Sequence, residues 1–305
     1  MAAPTRIGEH RAVELARVRQ RLADHWGADV PVAALYVAHH ERVVFQTVDP
    51  DGTRVVVKAD VADDRLAREA AVLGAAGDAI AVPEVRVHLP GVMVMSWIGG
   101  TPLASDSPDA DWTAVGRALR RLHDGVPTEG FPRFAGAESW SGFFRGWLPA
   151  ERARCASRGL WPDDVLDTLF QTAAAASGAG IGDDGAHDGG EPPIRLLHGD
   201  SSTIHWRIGP DGTAAAIDFG DHCVGDPLWD LVVLTHWDDA RLPAVLEGYA
   251  AGPATRRRLD RLYEPYRVVR HLLAIEWLLD HGYDPAPTVD ELARLAVSSE
   301  TPAAG

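Results

Sequence analysis

The alternation of hydrophobic and polar residues predicts that the first hundred residues form a sheet with one helix inserted into it. Short β-branched runs over residues 32–59 predict three strands, and the turn sequence DPDG joins the second strand to the third. Apolar residues at helical spacing predict a helix over 63–76, with Asp63 or Asp64 as its N-cap and Gly77 at its end. Two further runs, VPEVRVHL and GVMVMSWI, predict two more strands.

Beyond residue 100 the apolar residues recur at the spacing of helices. Helices are predicted there over 111–124, 138–158 and 162–177, and from Pro227 to about residue 298 with breaks near Gly252-Pro253 and at Pro265. A separate helix is predicted over 8–26, before the first strand. The stretch IRLLHGD and the hairpin TIHWRI–GPDG–TAAAID interrupt this helical region with strand character. Residues 178–193 lack periodicity and are rich in Gly, Asp and Pro, which predicts an exposed loop.

These elements predict an α+β fold with two lobes. The small lobe, with a five-stranded antiparallel sheet and a helix, is expected over residues 1–98. A larger and mainly helical lobe is expected over residues 99–305. A chain of this length is sufficient for two lobes that each bury an apolar core.

The composition restricts the partners and the location of the protein. Its net charge of −15 argues against nucleic acid and anionic membranes and is compatible with a cationic ligand. No apolar run approaches the roughly 18 residues that a membrane span needs, and the charged N-terminal segment lacks a signal-peptide core. We therefore expect a cytoplasmic protein, monomeric or dimeric, in which Cys155 and Cys223 are reduced and bind no metal.

Lysine is almost absent from the chain. Lys58 is the single lysine among 29 basic residues, and there is no asparagine. Such a bias replaces lysine by arginine wherever the two are interchangeable, but they are not interchangeable where a compact ammonium group must fit beside phosphates. The sequence therefore predicts a chemical role for Lys58, which closes the strand VVVK.

The most specific segment of the sequence is 196–231. It contains three short motifs in order: HGD at 198–200, IDF at 217–219 and GDPLWD at 225–230. At this spacing the motifs resemble those of the aminoglycoside-phosphotransferase family, the antibiotic-kinase branch of the protein-kinase-like fold. The resemblance extends over about residues 30–285 and implies a kinase that uses ATP or GTP with Mg²⁺.

Two aspartates of these motifs are predicted to carry the chemistry. Phosphoryl transfer needs metal ions that neutralise the phosphates and a carboxylate beside the attacking hydroxyl. Asp200 follows the strand LLHG and Asp218 ends AAAID, so adjacent strands linked by a tight hairpin would let both face one site. We assign Asp200 to orienting or deprotonating the acceptor hydroxyl and Asp218 to binding Mg²⁺, which prefers oxygen ligands. The resemblance implies structural roles for Asp226 and Asp230.

One position departs from the family's pattern. The family's asparagine, a second metal ligand, corresponds to His205 here, and Mg²⁺ does not favour imidazole. His205 is therefore a candidate metal residue acting through water, a candidate phosphate contact, or a residue without a role. Macrolide phosphotransferases resemble this chain in having histidine at that position.

The resemblance also implies a nucleotide site. Lys58 would hold the α- and β-phosphates and pair with Glu69, 11 residues further on. The segment MVMSWIGGTPL resembles the family's lobe connector, whose backbone reads adenine, which places contacts at Ser96, Trp97 and Ile98.

The turn between the first two strands, AHHERV, has no glycine-rich loop, as in antibiotic kinases. Backbone amides of residues 38–42 are candidates for phosphate contact, whereas His39 and His40 are expected in an exposed turn.

These observations predict a phosphotransferase that binds MgATP or MgGTP between the lobes and phosphorylates a hydroxyl group of a small molecule. An aminoglycoside-type antibiotic is the leading acceptor, because the chain is acidic and the helices of the larger lobe combine aromatic residues with carboxylates. These carboxylates are Glu138, Asp238, Asp239, Glu264, Glu276 and Asp280. His205 suggests a macrolide instead, and a peptide antibiotic or a metabolic hydroxyl is also open.

Two rival functions follow from the same motifs. A nucleotide-binding pseudoenzyme is supported by His205 and by the stretch SST after HGD. A kinase that acts on proteins is disfavoured, because the glycine-rich loop is missing and few residues separate Phe219 from GDP.

Overall fold

The structure of the chain is a computed structural model that describes residues 8–38, 41–177 and 193–299. The strands are β1 (Ala34–Ala38), β2 (Arg42–Val48), β3 (Arg54–Asp60), β4 (Val85–Leu89), β5 (Val92–Ser96), β6 (Thr101–Pro102), β7 (Arg195–Leu197), β8 (Trp206–Ile208), β9 (Ala214–Ala216) and β10 (Cys223–Gly225). The helices are α1 (Gly8–Trp26), α2 (Asp63–Ala76), α3 (Asp109–Gly125), α4 (Trp140–Arg158), α5 (Asp163–Ala174), α6 (Leu228–Thr235), α7 (Leu242–Gly248), α8 (Pro253–Asp280) and α9 (Ala286–Ser299). The expected turn at His39 and His40 and the expected loop up to residue 192 lie outside the described residues.

Packing divides the described chain into two units. The first contains the residues up to Val126 together with Thr203–His222, and the second contains Pro127–Ser202 together with the residues from Cys223 onwards. The division differs from the expected boundary after residue 98, because α3, β8 and β9 group with the N-terminal sheet.

The first unit is built on a five-stranded sheet in the order β1-β2-β3-β5-β4, with all neighbours antiparallel. The predicted α+β fold and its five-stranded antiparallel sheet are thereby confirmed. Strand residues alternate between the two faces. One face forms a core with α1, in which Leu22, Phe45, Val55 and Val57 are fully buried. Lys58 follows Val57 and therefore belongs to the other face, where α2 packs.

The helix α2 has the predicted bounds but not the predicted cap. The N-cap residue is Ala62, which has an extended backbone and makes no side-chain cap hydrogen bond. Asp63 and Asp64 lie inside the first turn, so the prediction that one of them is the cap was wrong. Asp60, at the end of β3, accepts a hydrogen bond from the Ala62 backbone amide at 2.8 Å instead.

The segment after β5 depends on a glycine. Gly100 has a φ of +112°, and a Cβ placed on it would lie 2.5 Å from the carbonyl oxygen of Ile208. The next residue, Thr101, pairs with Ile208 in the three-stranded sheet β6-β8-β9. A side chain at position 100 would therefore be strained and would clash with backbone.

The second unit is mainly helical. Two predictions, a helix break at Pro265 and adjacent strands before Asp200 and Asp218, were wrong. α8 continues through Pro265 without ending, although a break was predicted there. Pro265 is buried inside α8, although proline removes one hydrogen bond of the helix. The strand β7, which precedes Asp200, pairs with β10 rather than with the β8–β9 hairpin that precedes Asp218. The two aspartates therefore do not follow adjacent strands.

Two further expectations can be compared with the described residues. None of their helices is long and apolar enough to cross a membrane. Cys155 and Cys223 are both buried, and no disulfide involves them.

Candidate active site

Lys58 carries a deeply buried charge in the first unit. Its side chain is 3% exposed, and its Nζ atom lies 2.8 Å from Oε1 and 2.6 Å from Oε2 of Glu69 on α2. An amine in such surroundings loses its hydration, and only paired carboxylates can compensate for that loss. The structure thus brings together the lysine and the glutamate that the sequence paired.

Lys58 also contacts the aspartate that was assigned to the metal. Its Nζ lies 2.7 Å from Oδ1 of Asp218, which follows β9 and whose side chain is 34% exposed. Asp218 has a φ of +62°, an unfavourable conformation for a residue with a Cβ. Strain of this kind is often retained at functional sites, where it fixes the direction of one side chain.

The charges around Lys58 and Asp218 keep both side chains ionised. Removal from water lowers the pKa of Lys58, but the attraction of Asp218 and Glu69 outweighs that effect, so the net pKa is raised above its ordinary value. Desolvation would raise the pKa of Asp218, yet Lys58, His205 and Arg42 hold it far below its usual range. The lysine is therefore an ammonium and Asp218 a carboxylate throughout the neutral range.

His205 lies beside Asp218. Its Nε2 atom is 3.8 Å from Oδ2 of Asp218, and its backbone carbonyl accepts a hydrogen bond from Ile217. No group of three or more His, Cys, Asp or Glu residues able to hold a metal ion occurs among the described residues. Mg²⁺ typically binds through one or two carboxylates and completes its shell with water and phosphate oxygens. One partly exposed carboxylate, Asp218, fits that requirement, and His205 stays a prediction.

The predicted adenine contacts lie where β5 ends. The backbone amide of Ser96 donates to Glu84, and the Ser96 hydroxyl accepts from the Glu84 amide. Within the described parts of the chain, the backbone groups of Trp97 and Ile98 form no hydrogen bond with another residue. The half-buried ring of Trp97 stacks with Tyr36 at 6.2 Å between centroids. These features are compatible with base recognition at Trp97 and Ile98, which stays a prediction.

Asp200 lies in the second unit and has its own cation. Its Oδ1 atom is 3.0 Å from Nη2 of Arg270 on α8, and both side chains are about one-quarter exposed. The contact holds one carboxylate oxygen in a fixed position. Arg270 was not anticipated from the sequence.

The loop before Asp200 is held by Asp230. The carboxylate of Asp230 accepts hydrogen bonds from the backbone amides of His198 and Gly199, at 2.8 and 3.0 Å. The indole of Trp229 donates to the carbonyl of Gly199. Asp230 thus positions the HGD loop and has no exposed surface of its own. This agrees with the structural role that was expected for it.

Asp226 is likewise a structural residue. Its carboxylate accepts hydrogen bonds from Arg258 at 2.6 Å, from Tyr266 at 2.8 Å and from the Leu228 backbone amide at 3.0 Å. The last contact satisfies an amide at the start of α6. Burial raises the pKa of Asp226, and the Arg258 guanidinium opposes that effect.

Two buried histidines lie close to Arg270. Burial lowers the pKa of His271 to about 2 and that of His236 to about 4, and Arg270 contributes to both shifts. Their rings meet edge to face, and His271 also contacts the indole of Trp237, which is 58% exposed. Both histidines are neutral at physiological pH, so they add no positive charge next to the Arg270–Asp200 pair.

The carboxylates proposed for a cationic acceptor are mostly paired with arginines already. Arg154 contacts Glu276 and Asp280, and Arg267 contacts Asp239 and Glu264. Asp238 pairs with Arg241. Most of the aromatic residues in these helices are buried. The arginines had no distinctive signal in the sequence, since arginine provides 28 of the 29 basic side chains.

Comparisons with known proteins agree on the family. The family model described as the phosphotransferase enzyme family (APH) matches residues 37–265. No curated protein matches the sequence.

Similar solved structures include three kinds of kinase. The apoenzyme of macrolide 2′-phosphotransferase MphH from Brachybacterium faecium is 20% identical, with 95% of this chain and 99% of that chain covered and a TM-score of 0.61. A ternary complex of aminoglycoside phosphotransferase APH(4)-Ia with ADP and hygromycin B is 17% identical, with coverages of 93% and 99% and a TM-score of 0.65. Choline kinase LicA from Streptococcus pneumoniae is 15% identical, with coverages of 94% and 98% and a TM-score of 0.63.

At these identities the solved structures establish a shared fold. The family model covers about three-quarters of the sequence, including Lys58, Glu69 and all four motif aspartates. The chain therefore belongs to the phosphotransferase enzyme family, and the protein is a phosphotransferase.

Proposed function

We propose that the protein transfers the γ-phosphoryl group of ATP or GTP to a hydroxyl group of a small molecule. The observation that carries the proposal is the buried ammonium of Lys58, held at once by Glu69 and by Asp218. A single lysine placed beside a strained, partly exposed aspartate fits the binding of a polyphosphate with its metal ion.

In the proposed reaction each residue has one task. Lys58 binds phosphate oxygens and Glu69 keeps its side chain in place. Asp218 would hold Mg²⁺, which neutralises phosphate charge when bound. Asp200 accepts a hydrogen bond from the acceptor hydroxyl and directs its oxygen toward the phosphorus in line with the leaving group. Asp230 fixes the loop that carries Asp200.

The net charge, His205 and the likeness to solved structures guide the choice of acceptor. An aminoglycoside-type antibiotic is the first acceptor to test, because the net charge is −15 and a ternary complex with hygromycin B shares the fold. The arginine pairs of Glu264, Glu276 and Asp280 reduce the negative charge available to a polycation. His205 beside Asp218, together with the likeness to a macrolide phosphotransferase, favours a macrolide as the second candidate. We expect the reaction to take place in the cytoplasm.

The proposal is tested by nucleotide consumption with purified protein. Each of ATP and GTP is combined with aminoglycosides, macrolides, tuberactinomycin peptides, and simple sugars or amino alcohols, and Asp200→Ala serves as the matched control. Stimulation by one class that is lost in the variant is the expected result and identifies the acceptor class. Nucleotide binding without Mg²⁺-dependent transfer to any acceptor would favour the pseudoenzyme instead.

A further inference from the structure

Three charged groups of the first unit converge on one point above the α-carbon of Gly220. A Cβ built on this glycine would lie 3.2 Å from Oδ1 of Asp218, 3.4 Å from Nζ of Lys58 and 3.5 Å from Nη1 of Arg42. The point is thus surrounded by two cations and a carboxylate, and the absence of a side chain at Gly220 keeps it open. Lys58 and Asp218 belong to the proposed function, whereas Arg42 has no role in it.

Arg42 is held in place by Asp60. It is the first residue of β2, and its strand partner is Asp60 at the end of β3. Its Nε donates to Oδ2 of Asp60 at 3.1 Å, and the Asp60 side chain is fully buried. Because the Nε side of the guanidinium is fixed on Asp60, the Nη1 end is directed to the point above Gly220.

The position of Arg42 in the chain adds a second argument. It directly follows the turn between β1 and β2, which has no glycine-rich loop to supply backbone amides to a phosphate. An arginine fork can supply additional donors, because two parallel N–H groups match two oxygens of a phosphate. The side chain is 19% exposed, so an incoming ligand can reach its Nη atoms while Nε stays on Asp60.

We propose that Arg42 is a second phosphate-binding residue, which donates hydrogen bonds from its Nη atoms to the terminal phosphate of a nucleoside triphosphate held by Lys58. This inference rests on the proposed function and adds a contact to it. Arg42 and Lys58 would share the polyphosphate chain, with Arg42 acting on the end that is transferred. The neighbouring Asp60 would orient the guanidinium without touching the ligand.

The test compares nucleotides that differ only in their phosphates. Binding of ATP, ADP and AMP, and competition by inorganic tripolyphosphate, are measured by calorimetry for the wild type and for Arg42→Gln. We expect affinity for ATP and tripolyphosphate to fall about 10- to 100-fold, as for the loss of a charge-assisted fork contact, with little change for AMP. GTP is measured in parallel, because the base preference is open.

The matched control is Arg65→Gln. Arg65 also lies next to Asp60, with Nη1 at 3.7 Å from its Oδ2, and is paired with Glu41. Its atoms are not among the three that lie nearest to the point above Gly220. We therefore expect its ATP-to-AMP affinity ratio to equal that of the wild type. The melting temperatures of both variants show whether either change disturbs the fold.

Two further variants make the result independent of folding. Arg42→Lys keeps the charge but not the fork and should restore part of the ATP affinity, whereas Gly220→Ala should weaken ATP binding by placing a methyl group at the convergence point.

Equal losses for ATP and AMP in Arg42→Gln, or no loss at all, would overturn the inference. If Lys58→Gln weakens ATP binding while Arg42→Gln does not, the proposed function stands and only Arg42 is excluded. If the wild type binds no nucleotide, the proposed function itself fails.

Discussion

The four aspartates of the motif segment form two contrasting pairs. Asp200 and Asp218 are partly exposed, and each forms a short contact with one cation, Arg270 or Lys58. Asp226 and Asp230 have no exposed surface, and two or three hydrogen bonds satisfy each carboxylate. A carboxylate that keeps an accessible oxygen can meet a substrate or a metal ion, whereas one with every oxygen occupied can only support the fold. Exposure and partner number thus separate the two aspartates proposed for the chemistry from the two that support the fold, within one short stretch of sequence.

The strongest test of this contrast is the loss of Asp200. In Asp200→Ala we expect acceptor-dependent phosphoryl transfer to fall by about 10²- to 10⁴-fold, because the group that orients the hydroxyl is missing. Nucleotide affinity and melting temperature should change little, since the residue is partly exposed and its partner Arg270 can reach water. Steady-state kinetics with the acceptor found in the panel measures the loss. Wild-type turnover in this variant would falsify the assignment of Asp200.

The opposite result is expected for Asp226. Asp226→Ala would leave Arg258 without its buried partner and remove an acceptor from Tyr266, and we expect the free energy of unfolding to fall by about 3–5 kcal/mol. Urea denaturation followed by circular dichroism measures this loss. The matched comparison is Asp200→Asn, which should keep most of its stability while losing transfer, because both Asp200 and Arg270 are partly exposed. Similar stability losses in the two variants would remove the distinction between the pairs.

Replacing Lys58 tests its proposed role in binding phosphate. For Lys58→Arg we expect transfer to fall on the order of 10²-fold, the loss that follows removal of one positioned donor to developing charge. The guanidinium keeps the charge, but its planar fork does not fit between Glu69 and Asp218 as an ammonium does. Kinetics and ATP affinity are measured together. Activity equal to the wild type would mean that the single lysine has no special role.

A smaller effect concerns the pH dependence of stability near Asp200. The pKa values of His236 and His271, about 4 and about 2 in the fold, lie below the unfolded value of about 6.5. Below pH 6.5 the unfolded chain binds protons that the folded chain does not, so stability is lost as the pH falls. At pH 5 the loss amounts to about 2 kcal/mol for each histidine.

Thermal unfolding between pH 7 and pH 5 checks this expectation. Arg267 and Arg270 also act on both histidines, His236 itself acts on His271, and Asp200 acts on His236. His271→Phe should flatten the pH dependence, whereas His25→Gln, a change at an exposed histidine, should leave it unchanged. An identical slope in the wild type and in His271→Phe would contradict the assignment of a depressed pKa.

The sequence predicted the local elements well and the pairing of distant ones less well. Local periodicity gave the bounds of α2 and the position of β3, since side chains of neighbouring residues determine both. It could not reveal that β7 pairs with β10, because strand pairing depends on the whole chain. Pro265 was interpreted as a break, although packing around α8 tolerates it.

In the candidate site, too, contacts between distant residues were harder to predict than local features. The ion pair of Lys58 and Glu69 was predictable, because Lys58 is the single lysine and Glu69 follows it at the spacing that the resemblance implies. Arg42 and Arg270 were not, because an arginine among 28 carries no signal until the fold places it beside an aspartate. The sequence thus identifies residues with a rare type or a motif, whereas common residues acquire a role only through tertiary contacts.

The solitary lysine also determines how a protease can attack the protein. A lysine-specific endopeptidase has one cleavage point in the chain, after a residue whose side chain is 3% exposed in the middle of a sheet. Cleavage there requires that β3 leave its neighbours, so its rate measures the local opening of that strand. A polyphosphate bound to Lys58 would slow the cleavage. The amounts of the two resulting fragments would therefore report how much of the site is occupied, without any label.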